Sequence, residues 1–271
     1  MWAAPAVMIA SSLSLYAGAA VAVGLFAQFP PVVVAWLRIA AASLVLLALH
    51  RPGIPAFTWR AVLFGVATLG MNMTFYEAIA RLPLGTAVAI EFLGPVLVAA
   101  VGSRSVRDWL ALLLAAVGVV TISGAVWSTA ASGILFALAA GTMWAVYILV
   151  GSRIVGGTDN PRHALTAGFT AASVLSLPVV LLIRPEAVTM PWTQVLGLAL
   201  GLGVLSAVIP YSLDQTVMRM AGPGGFALLQ ALLPASAAVL GAVALGQFLS
   251  VAEVLGIVLV ITAILLRRPA G

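Results

Sequence analysis

The 271-residue sequence contains no cysteine and no lysine, and only 7% of its residues are charged. Without cysteine there can be no disulfide, no thiol chemistry and no cysteine-based metal site. A soluble domain carries about 25% charged residues, so this chain could not cover a water-facing surface. Histidine occurs twice, at His50 and His163, in or beside loops and without metal-ligand spacing. No H-E-x-x-H, G-x-S-x-G or G-x-x-x-x-G-K-[ST] pattern is present, so enzymatic signatures and an ATP-phosphate cradle are missing from the sequence. What is present is apolar: 63% of residues are hydrophobic, in runs near the roughly 20 residues that cross a bilayer. The sequence therefore reads as an all-α membrane protein. Its first apolar stretch lacks a basic leader and reads as a retained helix rather than a signal peptide.

Breaks in apolar character predict ten spans at about 4–26, 32–50, 60–80, 84–102, 108–127, 131–151, 163–183, 193–215, 222–245 and 250–267. All twelve basic residues are arginine. Nine of them (Arg51, Arg60, Arg104, Arg107, Arg153, Arg162, Arg219, Arg267 and Arg268) fall on the face that holds both termini. Arg81 and Arg184 fall on the other, and Arg38 lies within a span. The positive-inside rule then places both termini in the cytoplasm and assigns the net charge of +5 to orientation rather than nucleic-acid binding.

The stretch "YEAIARLPLGTAVAIEFLGPVLVAA" aligns weakly with "DQTVMRMAGPGGFALLQALLPASAA". Arg81 meets Arg219 at an offset of 138, while Glu91 meets Gln230 and Pro95 meets Pro234 at 139. That offset divides the spans five and five, giving repeats over 1–128 and 129–271. Because five is odd, the second copy would be inverted, a design common among secondary transporters with a midplane substrate site.

Polar groups at membrane depth are rare and face a bundle interior. Proline removes the hydrogen bond to the carbonyl four residues earlier. Pro95 is thus expected to free the carbonyl of Glu91, and Pro234 that of Gln230. Pro210 reads as a further kink. Arg38 and Glu91 each lie about two turns into a helix; a structural ion pair and a place on a substrate or proton path are both open readings for them. Glu77 reads as an interfacial i,i+4 partner of Arg81. Asn72, Phe75 and Tyr76 form a helical stripe, as do Trp144 and Tyr147 with Gly141 and Gly151, and Tyr211, Asp214 and Gln215 repeat the first spacing. Asn72 and Trp144 lie deep enough to line a cavity, whereas Trp2, Trp59, Trp109, Trp127 and Trp192 read as interface anchors. Gly197 and Gly201 read as a close helix-packing pair.

The segments "GMNMTFYEAIARLPLGTAVAIEFLGP", "WAVYILVGSR" and "IPYSLD" resemble the threonine/homoserine exporter branch of the drug/metabolite transporter superfamily, with EamA-type domains, over nearly the whole chain. The resemblance implies ten helices in two inverted repeats and export of amino acids or related metabolites against protons. By its motifs it singles out Asn72, Phe75, Tyr76, Glu91, Gly94, Pro95, Trp144, Tyr147, Pro210, Tyr211, Asp214 and Arg38. The chain departs from the pattern at Leu233, where an acidic residue is frequent, and at Gly246-Gln247, where Gly-Glu is frequent. Glu91 therefore has no acidic counterpart in the second half.

Together these observations lead to an expected bacterial inner-membrane exporter of a small polar metabolite such as threonine or homoserine, working by alternating access. Glu91 is the main proton-coupling candidate, with Arg38 and Asp214 as others. Asn72, Phe75, Tyr76, Glu91, Trp144, Tyr147, Tyr211 and Gln230 are the candidate cavity residues, and Pro95, Pro210 and Pro234 the kinks. The expected partners are a small-molecule substrate and membrane lipid, with no cofactor, no metal and no nucleic acid; nothing in the pattern sets an oligomeric state. Export of drugs, nucleobases or other metabolites, or a non-transporting scaffold subunit, are the alternatives.

Overall fold

The computed structural model describes residues 3–103, 105–155, 160–183, 189–210, 213, 216–217, 220, 229–230 and 232–266. Among the described residues every regular element is helical. The order is α1 (Ala3–Leu25), α2 (Pro31–His50), α3 (Trp59–Ile79), α4 (Leu84–Glu91), α5 (Leu93–Ser103), α6 (Val106–Val155), α7 (Pro161–Leu182), α8 (Trp192–Gly203), α9 (Leu232–Leu245) and α10 (Val251–Leu266). A single 3-10 turn, Ile54–Ala56, lies between α2 and α3.

Helix starts follow the local chemistry. α2 and α7 begin with a proline in the first turn, where its missing N–H leaves no helix bond unmade. Thr58 caps α3 by accepting from the Ala61 N–H at 3.2 Å, and Asn160 caps α7 from the Arg162 N–H at 3.1 Å. Ser250 and Glu253 form a reciprocal capping box at α10, with Ser250 N–H donating to Glu253 at 2.9 Å and Glu253 N–H to Ser250 Oγ at 3.3 Å.

The structure refines four of the expected spans. The segment expected over 84–102 is two helices, α4 and α5, interrupted at Phe92 because Pro95 cannot donate into the preceding turn. The segments expected over 108–127 and 131–151 are two helices, the two limbs of α6, which meet without an intervening loop at Ala130, whose φ of −144° and ψ of 35° are not helical. The segment expected over 193–215 is α8 followed directly by a π-helical turn, Val204–Val208.

Five segments are long and apolar enough to cross a membrane: Ala3–Leu25, Pro31–His50, Trp59–Ile79, Ala130–Gly151 and Arg162–Leu182. Five shorter apolar helices accompany them. Large apolar side chains cover the outside, among them Leu44, Val120, Leu182 and Val243. A continuous surface of that kind requires lipid around it; this is a multi-pass membrane protein. Trp59, Trp109 and Trp192 are exposed close to helix starts, while Trp2 and the side chain of Trp127 lie outside the described residues.

Inside, helices touch through glycine. A Cβ placed on Gly65 of α3 would lie 1.9 Å from the carbonyl oxygen of Gly168 on α7, and one on Gly94 of α5 the same distance from the carbonyl oxygen of Gly141 on α6. Among the described residues neither Gly197 nor Gly201 has anything within 4 Å of such a Cβ, so the expected close packing is not seen there. The exposure of Leu196 and Leu200 on the same helix indicates why: that part of α8 faces outward. The bent α6 packs on α3, α4, α5 and α10, α7 packs on α2 and α3, and α1 lies against α9 and the π-helical turn.

Candidate functional site

The site is built around a helix that runs short of backbone donors. Pro210 has no N–H, so the carbonyl of Ser206, four residues earlier, loses its helical partner. In the π-helical turn the Ile209 N–H bonds to Val204, so it is not available to Leu205, and the next residue that could serve Leu205 is again Pro210. Two consecutive carbonyls thus need donors from elsewhere, since unpaired backbone groups in a bilayer interior cost several kcal/mol.

Other helices supply them. Ser14 of α1 donates its hydroxyl to the Leu205 oxygen at 2.6 Å. Arg38 of α2 donates Nη2–H to the Ser206 oxygen at 2.5 Å. Gly18 lets α1 come this close, for a Cβ there would lie 2.6 Å from the Ser206 Cβ. The buried arginine therefore has a structural reason to sit where it does.

Its other end is fixed to α3. Arg38 Nη1 donates to Asn72 Oδ1 at 2.5 Å, the Asn72 amide donates to the Thr68 carbonyl at 2.7 Å, and the Thr68 hydroxyl donates to the Phe64 carbonyl at 2.7 Å. One turn from Asn72, the Tyr76 ring lies with its centroid 5.8 Å from the Arg38 guanidinium carbon, a cation–π distance. Phe26 meets Tyr76 edge-on at 5.9 Å, and Phe75 adjoins it at 6.2 Å. Arg38, Asn72 and Tyr76 are all buried, and Tyr76 is fully so.

Glu91 is also buried, at the last position of α4. It lies within electrostatic reach of Arg38, yet the two do not form an ion pair. The guanidinium is turned instead toward Asn72 and Ser206. The ion pair found among the described residues is Glu77–Arg81, at i,i+4, as its spacing predicts. The backbone of Glu91 is closely packed, since a Cβ on Gly141 would lie 2.6 Å from its carbonyl oxygen. Gln230 departs from expectation: its carbonyl accepts from the Leu233 N–H at 3.0 Å. A donor three residues on has replaced the one that Pro234 lacks, so this oxygen is not free.

The aromatic stripe on the second limb of α6 faces the same region. Trp144 meets Phe92, the residue after Glu91, edge-on at 4.8 Å, and Tyr147 lies 4.6 Å from Phe64. Arg38, Asn72, Phe75 and Tyr76 are thus gathered directly, with Glu91, Trp144 and Tyr147 around them. Gln230 is half-buried at a turn, and Tyr211, Asp214 and Gln215 lie outside the described residues.

The sequence reading missed Ser14 and Ser206, although the four-residue proline rule, applied to Pro210 as it was to Pro95, points to Ser206. It also passed over a second polar cluster. There the Gln247 side-chain oxygen accepts from the Leu84 N–H at the start of α4, at 2.8 Å. Buried Glu253 accepts from the Thr86 hydroxyl at 2.7 Å and from the Ser250 hydroxyl at 2.8 Å. The pattern Ser250-x-x-Glu253 is a visible capping signature. Among the described residues no three His, Asp or Glu side chains converge as a metal ion would need.

Comparison with known proteins bears on this arrangement. The model of the EamA-like transporter family matches residues 131–267. The threonine/homoserine exporters RhtA of Escherichia coli (strain K12) and Salmonella typhimurium (strain SL1344) are each 32% identical to this chain over 270 residues, covering 97% of it and 90% of their own length. A solved crystal structure is similar with a TM-score of 0.64 at 21% identity, covering 98% of both chains, a likeness of fold alone.

Proposed function

Because the chain belongs to the EamA-like transporter family, in the branch that contains the threonine/homoserine exporters, we propose that it exports neutral amino acids such as threonine or homoserine across a bacterial inner membrane. The observation that carries this reading is the 32% identity to those exporters over 97% of the chain. The residues fit it. Two ionisable groups, Arg38 and Glu91, are buried within electrostatic reach of each other in an apolar bundle without forming an ion pair, and intramembrane charges of this kind mark substrate and ion pathways.

In this mechanism ten spans form two inverted five-helix repeats, 1–128 and 129–271, with both termini cytoplasmic, and they rock around a shared centre. Support for the repeat comes from three positions at the offset of 138. Thr68 and Ser206 each donate a hydroxyl to the carbonyl four residues back, Phe64 and Leu202. Gly65 and Gly203 each bring their helix against backbone of α7 or α2, respectively, the Gly203 Cβ position lying 2.9 Å from the Ala42 nitrogen. Asn72, Phe75, Tyr76, Trp144, Tyr147, Tyr211 and Gln230 line the substrate path. Glu91 exchanges a proton for substrate, with Asp214 as a second candidate. The presence of Arg38 at the centre favours an amino acid over a drug or nucleobase.

Counterflow in proteoliposomes with labelled threonine tests the reading. Wild type is expected to exchange threonine and to concentrate it under a pH gradient, and Glu91→Gln to retain exchange but lose the gradient-driven component. Full pH-driven transport by Glu91→Gln would remove the proton role, and no exchange of any amino acid by wild type would remove the cargo.

A further inference from the structure

We propose that the open edge of Arg38 and the hydroxyl of Tyr76 together form the seat of a substrate carboxylate. The proposal rests on the amino-acid reading above and assigns one end of that cargo to named atoms. Arg38 is 7% exposed, and its two terminal nitrogens donate to neutral acceptors, an asparagine oxygen and a backbone carbonyl. Its charge is thus solvated but not neutralised by any described residue: among the described residues it takes part in no ion pair. Breaking or omitting the counterion of a buried charge is strongly unfavourable, which points to an anion that completes the site in another step of the cycle.

Two further atoms specify the anion. Among the described residues Arg38 Nε–H is buried with no hydrogen-bond partner, and the buried Tyr76 hydroxyl makes no hydrogen bond of normal geometry, although it lies beside both Arg38 and Ser206. Buried polar groups are almost always satisfied, and exceptions at functional sites call for a missing partner. Both atoms can donate, and both belong to a cluster held together by the 5.8 Å contact of guanidinium and ring. An ammonium or a bare amide N–H could not serve Nε–H. A carboxylate could, one oxygen taking Nε–H and the other the phenol, in a charge-assisted arrangement typical of arginine. An ammonium on the same small molecule would then have the Glu91 carboxyl within the same charged neighbourhood, so the two buried groups would read the two ends of a zwitterion.

Arg38 also satisfies Ser206, so its loss can disturb folding for reasons unrelated to cargo. Tyr76→Phe is the sharper variant. It deletes a hydroxyl that makes no hydrogen bond of normal geometry among the described residues, so the protein without ligand is expected to melt close to wild type. The experiment measures binding to purified protein in lipid nanodiscs by calorimetry, with L-threonine, its methyl ester and 2-hydroxybutyrate as probes. Threonine is expected to bind at least roughly tenfold more tightly than the ester, and Tyr76→Phe to weaken threonine by about tenfold, the size of one lost hydrogen bond to a charged group. Arg38→Lys, which keeps the charge but not the planar fork, is expected to weaken it further.

Equal binding of ester and acid, or unchanged threonine affinity in Tyr76→Phe, overturns the carboxylate seat while leaving an amino-acid exporter intact. Binding of 2-hydroxybutyrate but not threonine, still weakened by Tyr76→Phe, upholds the seat and overturns the amino-acid reading. Binding of none of the three probes overturns the seat as well.

Discussion

Replacing Gly94 with alanine tests the packing that positions Glu91. The new methyl group would sit 1.9 Å from the Gly141 carbonyl oxygen, about 1.5 Å inside the 3.4 Å at which ordinary contact begins. The obstacle is backbone, so no rotamer change can relieve it, and α5 must part from α6. Overpacking typically costs about 1–3 kcal/mol, and this site belongs at the upper end; the better helix propensity of alanine returns only about 1 kcal/mol. A net loss of about 2 kcal/mol corresponds to a fall in thermal midpoint of roughly 4–8 °C for a chain of this size. Gly197→Ala and Gly201→Ala meet nothing within 4 Å, so only the propensity gain remains and their midpoints should hold or rise. The assay is thermal unfolding of the purified variants in one detergent. Because Gly94 and Gly141 flank a single crossing, the double alanine variant should lose less than the two single losses added. A Gly94→Ala protein that melts with wild type, or a Gly197→Ala protein that falls as far, would refute the crossing.

Three further outcomes follow from the bonds described. Arg38→Met leaves the Ser206 oxygen and Asn72 Oδ1 without their donor, at about 1–3 kcal/mol each. Pro210→Ala returns a backbone donor to Ser206, so the thermal penalty of Arg38→Met should shrink in the Pro210→Ala background; equal penalties in both would show that the two residues do not serve one carbonyl. Gln247→Ala uncaps α4 and should lower the thermal midpoint by the equivalent of about 1 kcal/mol, whereas Gln247→Glu should match or exceed wild type, a carboxylate being favoured at a helix N-terminus. Glu253→Gln turns one of two accepting oxygens into a donor facing the Ser250 N–H or the Thr86 hydroxyl, and should destabilise by about 1–2 kcal/mol in the same melt.

Much of this molecule can be read along the chain, and the limits are physical. Apolar run length reveals helices and lipid contact without knowledge of packing, because bilayer thickness sets that length. The i,i+4 bond of Glu77 and Arg81 and the stripe of Asn72, Phe75 and Tyr76 are equally legible, since helix geometry alone decides them. Gly197 and Gly201 mislead because small residues permit close approach without requiring it; only the neighbour's position shows which glycines are used. Arg38 and Glu91 suggest a pair by depth, yet depth carries no direction, and the guanidinium follows the hydrogen-bond acceptor that Pro210 exposes. Gln230 shows the same limit, because a frayed turn can find a donor three residues on where a regular helix demands four.

The π-helical turn before Pro210 has one more consequence. Within an ordinary helix a carbonyl's partner belongs to the same segment, and separating the two means melting a turn. At Leu205 and Ser206 the partners ride on α1 and α2 instead. Sliding those helices past α8 therefore exchanges two side-chain bonds at a seam and leaves every helix wound. The irregular turn thus ties α1 and α2 to the helix before Pro210 through side-chain bonds that can break without unwinding it.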